Sequence, residues 1–320
     1  MDSLLSWPVL WNGLFWPLMR LVFFISVGLF IGNLIESLNW TRHVARFAEP
    51  LARRARLKDV SAASFSLAFF SGVTANTMLA EAHEKQTISD RELLLSNLFN
   101  SLPTYFLHLP TIFFIAAPFI GSAAVVYVGI TASAAVLRTG TIVLMGRFLL
   151  PPVPEGCVPC RLDEAPDNRG NPLQKTLKRF RKRLPKILYF TVPIYILFFL
   201  LRHYGIFASL QQFMSDNVGL LSWLPTEAVG IVAFHVAGEF TVGLAAASAL
   251  LQDASLTTHT VVLALLTGNV LSSPMRAFRH QFPYYAGIFR PRMAARLIVV
   301  NQTLRATSIA FVAVLYAVFG

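Results

Sequence analysis

The chain has 320 residues, 55% of them hydrophobic and only 13% charged, yet its formal charge is +11. An average soluble domain carries about 25% charged residues, so a water-soluble globular protein is disfavoured. A basic balance can mark a nucleic-acid binder, but in so apolar a chain it reads as cytoplasmic loops rich in Lys and Arg.

The N-terminus (MDSLLSWPVLW) lacks a positive leader and is not read as a cleaved signal. Trp7, Trp11 and Trp16 have the character of interfacial anchors. Apolar runs near 20 residues recur at 18–38, 93–119, 122–149, 187–202, 260–275 and 293–319. Each is long enough for a hydrocarbon core of about 30 Å. The positive charge falls into three blocks, Arg42 to Lys58, Arg161 to Lys186 and Arg276 to Arg296.

Residues 57–84 are two short apolar helix patterns interrupted at Ser71-Gly72. An apolar helix follows with Asn97, Asn100, Ser101 and Pro103 at its centre. Residues 151–172 are rich in Pro, Gly and charge and form a linker. Within it Cys157 and Cys160, the only cysteines, have Cys-x-x-Cys spacing but no second Cys or His pair. They read as reduced thiols; whether they bind metal stays open. From Leu173 to Lys186 apolar Leu173, Leu177, Phe180 and Leu184 share one helical face and basic residues fill the rest, the pattern of a helix on an anionic membrane surface. Residues 41–56 read similarly.

The whole arrangement then recurs. Residues 224–251 are again two apolar arms, interrupted at Gly238-Glu239, and the next helix carries Asn269, Ser272, Ser273 and Pro274. Arg20 aligns with Lys186 and Gly72 with Gly238, both 166 apart, and Arg138 with Arg305, 167 apart. If residues 60–84 cross fully, the first two basic blocks face opposite sides. If they form a re-entrant hairpin, all three blocks become cytoplasmic, 203–225 lies outside, and the halves are related by inversion, as in many secondary transporters. The expected fold class is therefore all-α, a polytopic membrane protein of about six transmembrane helices plus two re-entrant helical hairpins in an inverted internal repeat. The first repeat covers 1–150, a cytoplasmic linker 151–172 and the second repeat 173–320.

The run SGVTANTMLAEAHEKQTISDRELLLSNLFNSLPTYFLHLP, and in the second half GNVLSSPMRAFRHQFPYYAGIFRPR, resembles the Gate, or nucleoside recognition, domain family. That family includes parts of concentrative nucleoside transporters, the membrane portion of ferrous-iron transport GTPases, and spore maturation proteins A and B. The nearest likeness is to prokaryotic membrane proteins carrying two such domains. It implies paired hairpins beside broken helices with a substrate between them. The Gly-x-x-x-x-Gly-Lys-Ser/Thr signature of a GTPase is not found.

The candidate substrate-binding residues are Ser71, Gly72, Thr74 and Asn76 at the first interruption, and Gly238, Glu239 and Thr241 at the second. To these are added Asn97, Asn100, Asn269, Ser272 and Ser273 of the broken helices, then Arg276 and Arg279 beyond the second break. Small residues allow close backbone approach, and hydroxyls and amides offer hydrogen bonds, although the same types also serve helix packing in membranes. Glu239 would mark an ion or proton path, or pair with Arg305 or Arg276, because a lone intramembrane carboxylate is costly. His235 would either join it in a proton relay or sit hydrogen-bonded in the core. Arg276 and Arg279 read as ordinary positive-inside residues unless the helix continues, when they favour an anion. Arg138 and Arg305, mid-helix, are expected to be structurally paired. No catalytic triad, metal cluster or paired catalytic carboxylates occur at useful spacing, so no enzyme and no cofactor are expected. The expected function is multi-pass translocation, in the cell membrane, of a small polar or charged solute by alternating access, with ion coupling left open. The alternative is a non-transporting membrane scaffold. The partners are the lipid bilayer and a small solute or ion, with homo-oligomerisation left open and no nucleic acid.

Overall fold

The computed structural model describes residues 6–37, 48–152, 171–204, 223–252 and 255–320, and every regular element in them is helical. One turn (Trp7–Leu10) and a π-helical turn (Trp11–Phe15) lead into α1 (Trp16–Ser37); Trp7 and Trp11 stack at 5.7 Å on an exposed face. The first half continues with α2 (Ala48–Arg54), α3 (Asp59–Ala68), α4 (Gly72–Glu84), α5 (Asp90–Phe99), α6 (Ser101–Ile120) and α7 (Ala123–Leu149). The second comprises α8 (Pro172–His203), α9 (Thr226–Gln252), α10 (Thr258–Leu271), α11 (Ser273–Arg276), a π turn (Ala277–Gln281), α12 (Phe282–Ala286) and α13 (Pro291–Phe319). Among the described residues four helical stretches are long and apolar enough to cross a membrane, Trp7–Ile31, Asp90–Ile120, Ala123–Leu149 and Pro291–Phe319. Of the other two expected spans, 187–202 falls within α8 and 260–275 begins in the shorter apolar helix α10.

The order of elements repeats: long helix, hairpin, broken helix, long helix. α5 and α10 begin 168 residues apart (Asp90 and Thr258), as do α7 and α13 (Ala123 and Pro291). Their caps match too. Ser89 Oγ accepts from Glu92 N at 3.3 Å, and Thr257 Oγ1 accepts from Thr260 N at 3.2 Å.

The first hairpin is α3 and α4. Phe69 to Ser71 leave the helix, with Ser71 extended at φ −156° and ψ 110°. The chain then reverses, so that Ser64 Oγ donates to Ala75 O at 3.1 Å. Its base is fixed by the buried Glu92, whose Oε1 accepts from Lys58 N at 3.0 Å and Ser61 Oγ at 3.3 Å.

The second hairpin lies inside α9, which is helical from Thr226 to Gln252 but not straight. A Cβ on Gly243 would lie 3.3 Å from His235 Cα, whereas eight residues of straight helix advance about 12 Å. The chain therefore folds back between these residues, leaving two apolar arms, Thr226–Ala237 and Phe240–Leu251. The expected interruption at Gly238-Glu239 lies at this reversal. The side chains of both residues lie outside the description, and with them any tip-to-tip approach to Gly72.

α7 and α13 pack on one another, and each also touches the other half's broken helix, α7 on α10 and α13 on α5. Both hairpins pack against α6. Small residues permit the closest crossings: Gly28 of α1 faces the Phe114 carbonyl of α6, and Gly146 of α7 faces the Ala55 carbonyl, leaving no room for a Cβ at either. Gly121 ends α6 at φ +54°, a conformation that favours glycine.

One expectation is corrected. Residues 173–186 are not a separate surface helix but the first half of α8, which runs on to His203 through Pro185 and Pro193. Leu173 and Leu177 remain exposed, but Arg183 Nη1 reaches between helices to Asn33 Oδ1 at 2.7 Å and Thr111 Oγ1 at 3.4 Å. The comparable stretch 41–56 contributes only α2, with 41–47 outside the described residues.

Candidate functional site

Each broken helix parts at a residue of nearly zero ψ. Asn100 (φ −61°, ψ −9°) separates α5 from α6, and Ser272 (φ −76°, ψ −5°) separates α10 from α11. Pro103 and Pro274 supply no N–H to the carbonyl four residues back. At the second break Ser272 Oγ and Ser273 Oγ both donate to Asn269 O, at 3.1 and 3.3 Å. At the first, Thr104 Oγ1 donates to Asn100 O at 2.8 Å.

The breaks hold asparagines in fixed positions. Asn97 Nδ2 donates to Asn76 Oδ1 at 2.9 Å and to Tyr285 OH at 3.2 Å, and Asn76 Nδ2 donates to Tyr284 OH at 3.1 Å. This ladder joins the first hairpin, the first broken helix and α12 of the second half. Asn100 Nδ2 donates to Ser64 Oγ at 2.7 Å, tying the break to the hairpin. Asn269 Nδ2 donates to Tyr127 OH at 2.7 Å, and Asn269 Oδ1 accepts from Arg305 Nη2 at 2.5 Å. Tyr127 stacks on Phe240 of the second hairpin at 5.3 Å.

Between these groups lies a cavity of about 330 Å³. Its walls include Gly72, Asn76, Asn97 and Asn100 from one half and Arg276, Tyr285 and Arg305 from the other. A smaller space of about 90 Å³, with Tyr127 and Asn269, shares the walls Tyr105, Ile112, Arg138 and Arg305. No carboxylate lines either space among the described residues. Four buried polar atoms at the cavity have no hydrogen-bond partner: Asn100 Oδ1, Ser101 Oγ, Arg138 Nε and Arg305 Nη1. A larger groove of about 740 Å³ lies between α1 and α6, but its walls, such as Trp16, Phe24, Ile31 and Phe114, are apolar apart from Arg20. It suits lipid chains rather than a polar solute. Among the described residues no group of three or more His, Cys, Asp or Glu is placed to hold a metal ion.

The structure thus gathers Gly72, Asn76, Asn97, Asn100 and Arg276 around one space and sets Asn269 beside it. Arg276 is not merely a loop cation; it lines the cavity and donates from Nη2 to Ser272 Oγ at 3.3 Å. Other candidates are spent on the backbone or lie elsewhere. Ser71 caps α4, accepting from Thr74 N at 3.2 Å and Thr74 Oγ1 at 3.0 Å, and neither residue lines the cavity. Ser272 and Ser273 bond the Asn269 carbonyl, and Thr241 is half-buried on the second hairpin. The side chains of Glu239 and Arg279 lie outside the description. His235 is fully buried with neither ring nitrogen partnered among the described residues, which leaves the expected relay without a visible second member. Tyr284, Tyr285 and Tyr127 were not singled out in the sequence. Their signal there is only an aromatic pair after Pro283 and one tyrosine in an apolar helix.

No family model matches the chain. Two relatives from Methanocaldococcus jannaschii align over nearly its full length. Uncharacterized protein MJ0871 is 26% identical over 293 residues, 89% of this chain and 88% of its own. Uncharacterized protein MJ0880 is 22% identical over 302 residues, 90% of this chain and 93% of its own. No solved structure matches.

Proposed function

We propose that this protein is a multi-pass cell-membrane transporter that moves a small polar or charged solute through the 330 Å³ cavity by alternating access. The single observation that carries this reading is the cavity itself. It is lined by polar side chains from both halves of the chain and flanked by interrupted helices, the setting in which transporters hold substrates. In this reading six segments cross the bilayer and the hairpins α3–α4 and α9 are re-entrant, with the three basic blocks cytoplasmic. Non-helical backbone at membrane depth is tolerated when it lines such a cavity. Resemblance to the Gate family supports the same arrangement. The Asn76–Asn97–Tyr285 ladder, whose polar atoms largely satisfy one another, also suits a static scaffold. The open space beside it, with four unpartnered polar atoms, has no use in one.

The test needs no knowledge of the substrate. In a background with Cys157 and Cys160 replaced by Ser, Ser101→Cys and Asn301→Cys place thiols on the cavity wall. An impermeant maleimide should label each in right-side-out and in inside-out vesicles. Labelling from one face only, or from neither, would overturn alternating access.

A further inference from the structure

A second place for a ligand is the groove of about 740 Å³ between α1 and α6. The two helices cross closely at Gly28, where a Cβ would run into the Phe114 carbonyl and come within 3.4 Å of Pro118 Cγ. Along the groove Phe24, Val27 and Ile31 of α1 stay exposed. Exposed apolar side chains alone say only that lipid is near. The distinguishing residue is Arg20, the one charged residue among the described walls. Arg20 is exposed, and its guanidinium lies 5.8 Å from the centre of the Phe24 ring. It stands one helical turn beyond Trp16, another exposed wall residue, which follows the aromatic group Trp7, Trp11 and Phe15. Such aromatic groups sit at headgroup level, and a long arginine one turn deeper reaches back to it. From Arg20 to Ile31 the helix advances about 17 Å. One leaflet of a hydrocarbon core of about 30 Å is about 15 Å deep. The groove therefore has a cationic end at the headgroups and an apolar floor about as long as one leaflet.

We infer that this groove is a phospholipid site, in which Arg20 takes the phosphate of an anionic headgroup and one acyl chain lies along Phe24, Val27 and Ile31. A guanidinium offers a phosphate paired N–H donors, and the wall beyond it offers only apolar surface. An amphiphile with its anionic group at one end satisfies both parts. A free anion gains nothing from the wall, and a plain hydrocarbon gains nothing from Arg20. A second copy of the chain is the competing occupant. A two-fold dimer sets the same patch against itself, which would bring Arg20 to a wall without a carboxylate among its described residues. The site requires only that α1 and α6 cross a bilayer. It shares no wall residue with the 330 Å³ cavity. The two are connected through α6, which presents Phe114 and Pro118 to the groove and, near its other end, Ser101, Thr104 and Tyr105 to the cavity. A lipid seated in the groove braces that helix.

The test uses the full-length protein with Trp16 as its only tryptophan, Trp7, Trp11, Trp40 and Trp223 being replaced by Phe. Reconstituted in phosphatidylcholine vesicles, it receives a small fraction of brominated phosphatidylglycerol or of brominated phosphatidylcholine. Bromine quenches a tryptophan only at contact. Phosphatidylglycerol should quench Trp16 about five-fold more effectively, the worth of one cation beside an anionic headgroup. Arg20→Gln should abolish that preference, and Arg20→Lys should keep most of it. Arg147→Gln, which removes an exposed charge from the last turn of α7, should leave it unchanged. Ala117→Leu, which fills the groove without touching the charge, should lower quenching by both lipids. In the unaltered protein in neutral detergent, phosphatidylglycerol should raise Tm more than phosphatidylcholine, and Arg20→Gln should erase the difference. Equal quenching by the two lipids, or a preference that survives Arg20→Gln, would overturn the site. Trp16 shielded from both lipids, with a dimer captured by cross-linking, would give the groove to a second copy instead. Maleimide labelling of the cavity from one face only would remove transport and leave the lipid site standing.

Discussion

Gly243→Ala is a substitution whose sign depends on whether α9 folds back. In a straight helix position 243 would lie about 12 Å from His235, and Ala would stabilise the helix by about 1 kcal/mol. In the folded-back chain the new Cβ would meet His235 Cβ at 2.8 Å, Cγ at 3.1 Å and Cα at 3.3 Å. Carbon atoms pack best at about 3.5–4.0 Å. His235 cannot retreat, because Gly268 presses from α10 so closely that a Cβ there would lie 2.7 Å from His235 Cβ. Overpacking of this kind costs about 1–3 kcal/mol. After the helix-propensity gain, the net loss should be about 1–2 kcal/mol, a Tm lower by a few degrees. The five tryptophans make intrinsic fluorescence a direct assay of unfolding in detergent. Gly129→Ala and Gly140→Ala in α7, where a Cβ meets nothing within 4 Å, serve as controls and should hold or raise Tm. His235→Ala should not relieve the clash, because it keeps the offending Cβ, whereas His235→Gly should. Gly243→Ala as stable as the α7 controls would refute the fold-back and, with it, the second hairpin.

Asn97→Leu should cost about 2–3 kcal/mol, since it removes two hydrogen bonds and leaves Asn76 Oδ1 without its donor; an unchanged melting temperature would show that the ladder does not join the halves. His235→Leu should not lower Tm, because a buried imidazole with two unpartnered nitrogens carries a desolvation cost of about 1–3 kcal/mol that Leu lacks. A marked loss of stability would reveal a partner for the ring. Cys157 and Cys160 lie outside the described residues; in the proposed topology, with the basic blocks inside, they face the cytoplasm. Labelling of either by an impermeant maleimide in intact cells would break the topology.

The helix breaks were legible because they are written in residues that interrupt helices. Asn100 and Ser272 fall where an amide or hydroxyl precedes a proline, and the first hairpin turns at a Ser-Gly that no helix interior favours. The count of spans was less legible. Apolar length alone does not show that the basic stretch 173–186 and the apolar stretch after it form one helix, or that Arg183 reaches inward to Asn33. Ser71 and Thr74 illustrate a second limit. A hydroxyl beside a glycine has the same composition whether it binds a solute or caps a helix, and only the 3.2 Å bond from Thr74 N decides. The tyrosines were invisible for a related reason: Tyr127, Tyr284 and Tyr285 matter through partners more than 140 residues away in the chain.

The two halves repeat their elements but not their chemistry, and that difference is where a directional site can arise. Asn97 and Asn269 each stand three residues before a break. Each donates to a tyrosine hydroxyl of the other half, Asn97 to Tyr285 and Asn269 to Tyr127, but Asn269 also takes the guanidinium of Arg305. The hairpins differ in the same sense. The first is anchored through hydrogen bonds, Ser64 to Ala75 and Asn100 to Ser64; the second is wedged by an imidazole between two glycines. Relative motion of the halves has to break or carry along the polar bonds that cross between them, Asn269 to Tyr127 and Asn97 to Tyr285, and in a low-dielectric interior each broken bond is expensive. Motion is therefore expected to concentrate in α9, where the arms meet through His235 against Gly243. The ladder from Asn76 to Tyr285 would set its limit, because α12 belongs to the second half but is bonded to the first.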